Sequence, residues 1–442
     1  MAEEGLSAQT RALLAAVREG DAARVAHLLK DPRADPAADR NSAVWSAAEL
    51  GHPRVLALLL GDPRVNPAAA GNRAIIGAAV EGEHACVALL LKDRRADPSS
   101  RGNYAFRKAA KGAHCGVVRL LLADRRVDPA AKDNKAIRAA ARAGVVELVA
   151  LLLADPRVDP AAADNEAIQE AAYYGRADVV NLLMADPRVD PAANNNLAVR
   201  RAARAWFGGC PRVMARFLAS PRVDPAAAGN ETIWSAAVTG CGAIVALLLK
   251  DPRVDPAANN NRAICAAAAN GNADVVALLL ADPRVDPAAA DNEAIQVAAY
   301  YGCADVVNLL LADPRVDPAA NDNLAVRRAV RGWFGGCAET VARLLADPRV
   351  DPAAKDNCAI RWAARLGGAE IAALLLADPR VDPAALGPPA FAAFRARPVV
   401  AEALARAQDR RRWSSLRAAW VGATWAAARA AAPPPAVGAA AR

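Results

Sequence analysis

The residues best suited to chemistry in this chain are His84 with Cys86, His114 with Cys115, and an aspartate pair that recurs around an arginine, as in Asp155-Pro156-Arg157-Val158-Asp159. Imidazole and thiolate are zinc ligands, and paired carboxylates can divide general-acid and general-base work. Neither use fits the spacing. Two neighbouring ligands do not complete a tetrahedral site, and a second pair one repeat away would lie about 10 Å off by ordinary helix packing. The aspartates flank an arginine and lie beside prolines, a combination that makes turns and salt links. Phosphate loop, dinucleotide fingerprint, nucleophile elbow and metalloprotease helix are all missing. We expect no catalysis, no metal and no cofactor, with Cys86 in a helix core and His114 near a turn.

The aspartate motif is instead a ruler. Asp-Pro-Arg-Val-Asp-Pro-Ala-Ala stands in full at 155–162, 186–193, 251–258, 282–289, 313–320, 347–354 and 378–385, with altered copies at 31–38, 62–69, 93–100, 124–131 and 220–227. Its second proline recurs every 31 residues, with two intervals of 34. A period of this size marks an array whose units bury their apolar faces by stacking on their neighbours.

Five residues after that proline comes an asparagine, from Asn41 and Asn72 through Asn165 to Asn357, which we read as the N-cap of a first helix, A. In the unit opened by Asn165, Ala167, Ile168, Ala171 and Ala172 follow at helical spacing, and Gly175 supplies the C-cap. Val179, Val180, Leu182 and Leu183 form helix B, which Asp186-Pro187 ends. Pro187 and Pro191 then predict a rigid extended turn that projects Arg188 and Val189 toward the next unit.

The fold class is therefore an all-α repeat solenoid, with stacked helix-turn-helix units joined by short extended turns or hairpins. Residues 1–9 are a lead, 10–407 the array of eleven complete units with terminal half-units or caps, and 408–442 a basic tail. In that tail Trp413, Leu416 and Trp420 share one helical face beside Arg410, Arg411 and Arg412.

Composition agrees with small, close-packed helices: 54% of residues are hydrophobic but only 4% aromatic, which leaves the core to alanine, leucine, valine and isoleucine. The net charge of +8 is concentrated late, because 384–442 holds nine arginines against Glu402 and Asp409, a balance of +7 that leaves +1 for everything before. Eight cysteines are too sparse for a disulfide scaffold, and the acidic start lacks a secretory core. No transmembrane run is visible. We expect a monomer in an intracellular setting, cytoplasmic rather than nuclear.

Four departures from uniformity mark candidate surfaces. Tyr173-Tyr174 and Tyr300-Tyr301 fall at the end of helix A and supply four of five tyrosines; they either bind a partner or pack across neighbouring turns. Counting from the asparagine, positions four, five and eight carry Arg107, Lys108 and Lys111; Arg138 and Arg142; Arg200, Arg201 and Arg204; Arg327, Arg328 and Arg331; and Arg361 and Arg365. This face is either simply solvated or suited to an acidic protein segment, with nucleic acid a weaker third reading because the acidic tips would flank it. The two 34-residue intervals come from Trp206-Phe207-Gly208-Gly209-Cys210 and Trp333-Phe334-Gly335-Gly336-Cys337 between helices A and B, where the aromatics either bind or cover a gap. Residues 155–210 nearly repeat 282–337, so a block of four units is duplicated. Trp45, Trp234, Trp362, Tyr104 and Phe106 have core or groove-wall packing as their default.

The unit resembles an ankyrin repeat over roughly 8–407. The family frame has its counterparts in Glu166-Ala167-Ile168-Gln169, Ala171-Ala172, Gly175, Val179-Val180 and Leu183-Met184, although the family's Thr-Pro-Leu-His is missing and the hairpin is about two residues shorter than in a 33-residue unit. The resemblance implies a protein-binding scaffold without catalysis that uses hairpin tips and helix A. It also admits an adaptor that holds a client while its terminal segment, here 408–442, docks on a ubiquitin ligase, another complex or an acidic membrane.

Overall fold

A computed structural model of the chain describes residues 6–204, 210–332, 337–386, 392 and 396–409, and all regular structure among them is helical, with no strand. The repeat follows the predicted division. In the unit opened by Asn165, helix A spans Ala162–Tyr173 and helix B Ala177–Ala185. Gly175 between them takes the left-handed conformation, φ 67°, that a side chain disfavours. Ala167, Ile168, Ala171, Ala172, Val180 and Leu183 are all fully buried. Within each unit the small alanines let neighbouring A helices lie against one another, as Ala131–Ala143 and Ala162–Tyr173 do, and B helices pack likewise on B helices.

The described residues of 1–232 with 250–254 form one compact unit, and those of 233–249 with 255–442 the other. The first begins with Ala8–Glu19 and Ala22–Leu28, capped by Ser7, whose hydroxyl accepts from the Thr10 N–H at 3.1 Å. The second ends in a helix over 398–409 that buries Val400, Leu404 and Ala407 on one stripe.

The asparagines do something other than cap a helix. Ala163, Asp164 and Asn165 have φ of 53°, 56° and 63°, a complete left-handed turn set into the start of helix A. The same three-residue turn recurs from Asp39–Asn41 to Lys355–Asn357. Ordinary side chains pay about 1–2 kcal/mol per residue there, while glycine, asparagine and aspartate enter most readily. Accordingly the middle position holds Gly71, Gly102, Asp133, Asp164, Asn195, Gly229, Asn260, Asp291, Asp322 or Asp356, with Arg40 the exception. The asparagine that follows is buried in most repeats, Asn41, Asn230 and Asn357 being partly exposed, and its carbonyl oxygen accepts a hydrogen bond from a backbone 25 residues ahead: Asp159 N–H to Asn134 at 2.8 Å, Asp190 to Asn165 at 2.7 Å and Asp317 to Asn292 at 2.7 Å. In the lengthened repeats the same bond spans 28 residues, from Asp224 to Asn196 at 3.0 Å and from Asp351 to Asn323 at 2.6 Å.

The tips also differ from an extended turn. Val158 N–H bonds to the Asp155 carbonyl and Ala162 N–H to that of Asp159, so each tip is a pair of tight turns. Their arginines reach back to the preceding repeat, not forward to the next. Arg188 grips Asp186 through Nε at 3.0 Å and Nη2 at 2.7 Å, then donates to the carbonyls of Val158 at 2.9 Å and Leu153 at 3.0 Å. Because Asp186 holds the Nε/Nη2 edge of the guanidinium, Arg188 is pre-aimed at those carbonyls through Nη1 and the second Nη2 hydrogen. Arg64, Arg95, Arg126, Arg157, Arg253, Arg315 and Arg349 make the same backward contacts. The residue after each of these arginines is buried, a valine such as Val158 or Val189 or, after Arg95, Ala96.

Two expected outcomes follow. Asn165→Ala removes a buried acceptor and places a Cβ-bearing aliphatic residue in the left-handed region, which should lower stability by about 1–3 kcal/mol. Asn165→Gly keeps the backbone freedom, so urea denaturation of both variants separates the two effects; an unaltered midpoint for the glycine variant would remove the hydrogen bond's importance. The second concerns acid. The hydrogen bonds from Arg157, Arg188 and Arg253 hold Asp155, Asp186 and Asp251 below the usual carboxylate range. Carboxylates depressed in the folded state contribute fully above their unfolded value, about 4, and that contribution is lost as pH falls through the folded value. Helical circular dichroism in urea should therefore hold steady from neutral pH to about 5 and fall below about 4, and Asp155→Asn, Asp186→Asn and Asp251→Asn together should flatten that fall.

Candidate functional site

Once the ties are assigned, the residues left over are those on the exposed side of helix A, and their contacts obey a simple register. Position four of one repeat meets position one of the next: the Arg73 guanidinium lies 3.5 Å from the centre of the Trp45 ring, Arg138 pairs with Glu166, Arg200 with Glu231, and Arg262 stacks at 4.1 Å on Trp234. Position four also folds back on its own turn. Arg200 donates to the Asn194 and Asn195 carbonyls at 3.0 and 3.2 Å, Arg327 to Asn321 and Asp322 at 2.8 and 3.1 Å, and Gln169 to Asp164 at 2.7 Å. These side chains satisfy carbonyls that the left-handed turn leaves outside the helix ladder. Of the three arginine positions, four is thus largely structural, while five and eight face outward.

In the unit of 1–232 with 250–254 this face forms an open cleft of about 820 Å³. Its lining includes Arg107, Lys108, Lys111, Lys135, Arg138, Arg142 and Arg176, seven cations against Glu166 and Glu170, with Tyr104 and Tyr174 as aromatic walls. Lys108 Nζ lies 5.1 Å from the Tyr104 ring centre and the Arg142 guanidinium 4.8 Å from that of Tyr174. Lys111, Lys135 and Arg142 are exposed. Tyr104, Lys135 and Arg176 were not singled out as partner-binding from the sequence, because an isolated tyrosine or a position-one lysine carries no pattern of its own.

The predicted residues distribute as follows. Tyr174 lines the cleft, and Tyr173 stands edge-on to it with ring centres 5.2 Å apart. Tyr300 and Tyr301 repeat that geometry at 5.1 Å, with Tyr301 48% exposed. Arg201 reaches Glu170 and Arg204 reaches Glu231, each at 3.0 Å. Arg331 stacks over Trp362 at 4.4 Å, and Arg328 makes no hydrogen bond or ion pair among the described residues. Trp206, Phe207, Trp333 and Phe334 lie outside the described residues, as does the tail from Arg410 onward with Trp413, Leu416 and Trp420. Phe106 is wholly buried, whereas Trp45, Trp234 and Trp362 are half-buried walls under arginines.

Among the described residues no group of histidine, cysteine, aspartate and glutamate is placed to hold a metal ion, and no helix is long and apolar enough to cross a membrane. His114 sits at the turn, its Nε2 2.9 Å from the Val80 carbonyl. All eight cysteines are free. Burial pushes the Cys86 thiol up to about 11 and that of Cys265 up to about 12. Because the thiolate is the nucleophile, these two should alkylate last with iodoacetamide at pH 8, as peptide mass spectrometry against time would record; early modification of either would contradict the burial.

The model for ankyrin repeats in three copies matches residues 232–322. A search of curated proteins returns no match. Residues 232–322 of this chain are ankyrin repeats, and the helix pair that defines them recurs through the described residues on both sides.

Proposed function

We propose that this chain is a non-enzymatic interaction scaffold that takes an acidic protein segment along the exposed side of its A helices. Ankyrin repeats are, as a class, protein–protein interaction modules. What supports the acidic partner is the cleft over Tyr104, Lys108, Lys111, Arg142 and Tyr174, where seven cations meet two glutamates beside two half-buried aromatic rings. Such a surface steers an anionic segment electrostatically, and the rings supply rigid contact area. A protein segment is favoured over nucleic acid as the occupant because ankyrin repeats, matched here at 232–322, are as a class protein-binding modules.

Binding of fluorescein-labelled oligoglutamate, followed by anisotropy, tests the placement. Lys108→Glu with Lys111→Glu should weaken binding at the cleft about tenfold, while Lys92→Glu, on helix B His84–Lys92, should leave it alone. Equal binding by the cleft variant and the unaltered chain would remove the cleft as the site.

A further inference from the structure

The duplicated blocks give a natural comparison within one chain. In the first, the outward arginines are neutralised from both sides. Glu170 pairs with Arg201 at 3.0 Å and lies 4.0 Å from Arg142, and Glu231 takes both Arg200 and Arg204, so two carboxylates serve four guanidiniums. Both glutamates are largely shielded, with 17% and 24% of their side chains exposed.

In the second block, 127 residues later, Arg327, Arg328 and Arg331 repeat Arg200, Arg201 and Arg204, but Val297 stands where Glu170 was and Cys358 where Glu231 was. Position one of the following repeat, where Glu231 meets Arg200 in the first block, holds Cys358 in the second and so offers Arg327 no carboxylate. Its own bonds go only to the Asn321 and Asp322 carbonyls. Arg328 has no partner among the described residues. Arg331 and the added Arg365 close on the Trp362 ring at 4.4 and 5.3 Å, where the first block has Ser235 and Val238 in place of Trp362 and Arg365. Arg361 donates to the Lys355 carbonyl at 3.1 Å. Glu293, the counterpart of Glu166, is retained but lies by Cys265, one repeat earlier.

We propose that the face formed by Arg328, Arg331, Trp362 and Arg365 is a second, separate site for an acidic protein segment, left open because Val297 and Cys358 stand where the first block has Glu170 and Glu231. It rests on the reading of the A-helix face given above. Four side chains form the site: three arginines that pair with no carboxylate among the described residues, and an indole held between two of them. An incoming carboxylate cluster supplies the counter-charges that Glu170 and Glu231 supply in the first block. The same unit carries exposed tip aspartates, Asp286 and Asp317, which oppose a long polyanion but not a short carboxylate cluster.

The test uses the full chain carrying Lys108→Glu and Lys111→Glu, with oligoglutamate as the probe. Residual binding should persist, should fall about tenfold when Val297→Glu and Cys358→Glu restore the first block's carboxylates, and should survive Val297→Gln with Cys358→Gln, which matches the bulk without the charge. Glutamate is compatible with helix A at the first of these positions, since Glu170 occupies it in the other block. No residual binding, or binding indifferent to the glutamate pair, overturns this inference and leaves the cleft standing. Probe binding indifferent to Lys108→Glu and Lys111→Glu but lost with the glutamate pair overturns the cleft and keeps the second site. Equal loss in the glutamine pair overturns the electrostatic basis. Tighter binding of a single-stranded oligonucleotide, with a steep salt dependence, overturns the class of partner.

Discussion

Within each unit, successive repeats are tied by two hydrogen-bonded contacts that meet at the tip, and the rest of the structure depends on them. A buried asparagine oxygen holds the backbone N–H of the next tip's second aspartate, as Asn165 holds Asp190. The arginine of that same tip, locked by its own aspartate, then grips carbonyls of the tip and helix B before it, as Arg188 grips Val158 and Leu153. Each tie satisfies backbone groups that irregular chain would otherwise leave orphaned. Together they set the separation of successive units, so the apolar stripes of the helices meet in register. The left-handed turn belongs to the same constraint. Three successive residues with positive φ are costly for ordinary side chains, and the turn persists because it delivers the asparagine to the next tip.

This arrangement separates what must recur from what is free to vary. Asparagine, aspartate, arginine and proline at the tip are committed to ties, and position four of helix A is largely committed to the turn carbonyls. Positions one, five and eight make neither of the tip ties, and where they carry charged or aromatic side chains a substitution changes the face rather than the ties. Charge on that face is then decided by a few residues: Glu166, Glu170 and Glu231 against the arginines in the first block, and Val297, Cys358 and Trp362 in the second. Two nearly identical stretches of sequence thereby present different electrostatics to a partner.

The tip motif makes the opposite point. Its acid-base-acid composition invites a catalytic or electrostatic reading, yet Asp155 is spent on Arg157 and Asp159 on the N–H of Ala161 at 2.9 Å. Recurrence of a charged motif in a repeat array is as much a sign of stacking chemistry as of binding. Surface ion pairs contribute little alone; here the pair's value is that it orients the guanidinium toward carbonyls about 30 and 35 residues back.

By itself the sequence determined the period, the helix pairs, the glycine that ends helix A, the alanine and leucine core and the place of the longer A-to-B connections. All of these are local: they rest on spacing within one repeat and on conformational preferences of single residues. The role of the asparagine, the direction of the tip arginine and the pairing of position four with position one were decided only by the tertiary structure. An asparagine before an apolar run has the same local signature whether it caps a helix or completes a left-handed turn, although the Gly-Asn, Asp-Asn and Asn-Asn pairs did carry the second meaning. The cleft is likewise non-local. Tyr104, Lys135 and Tyr174 come from three repeats, and what makes them one surface is the stacking distance set by bonds that cross 25 to 35 residues of chain, a reach that no pattern within one unit encodes.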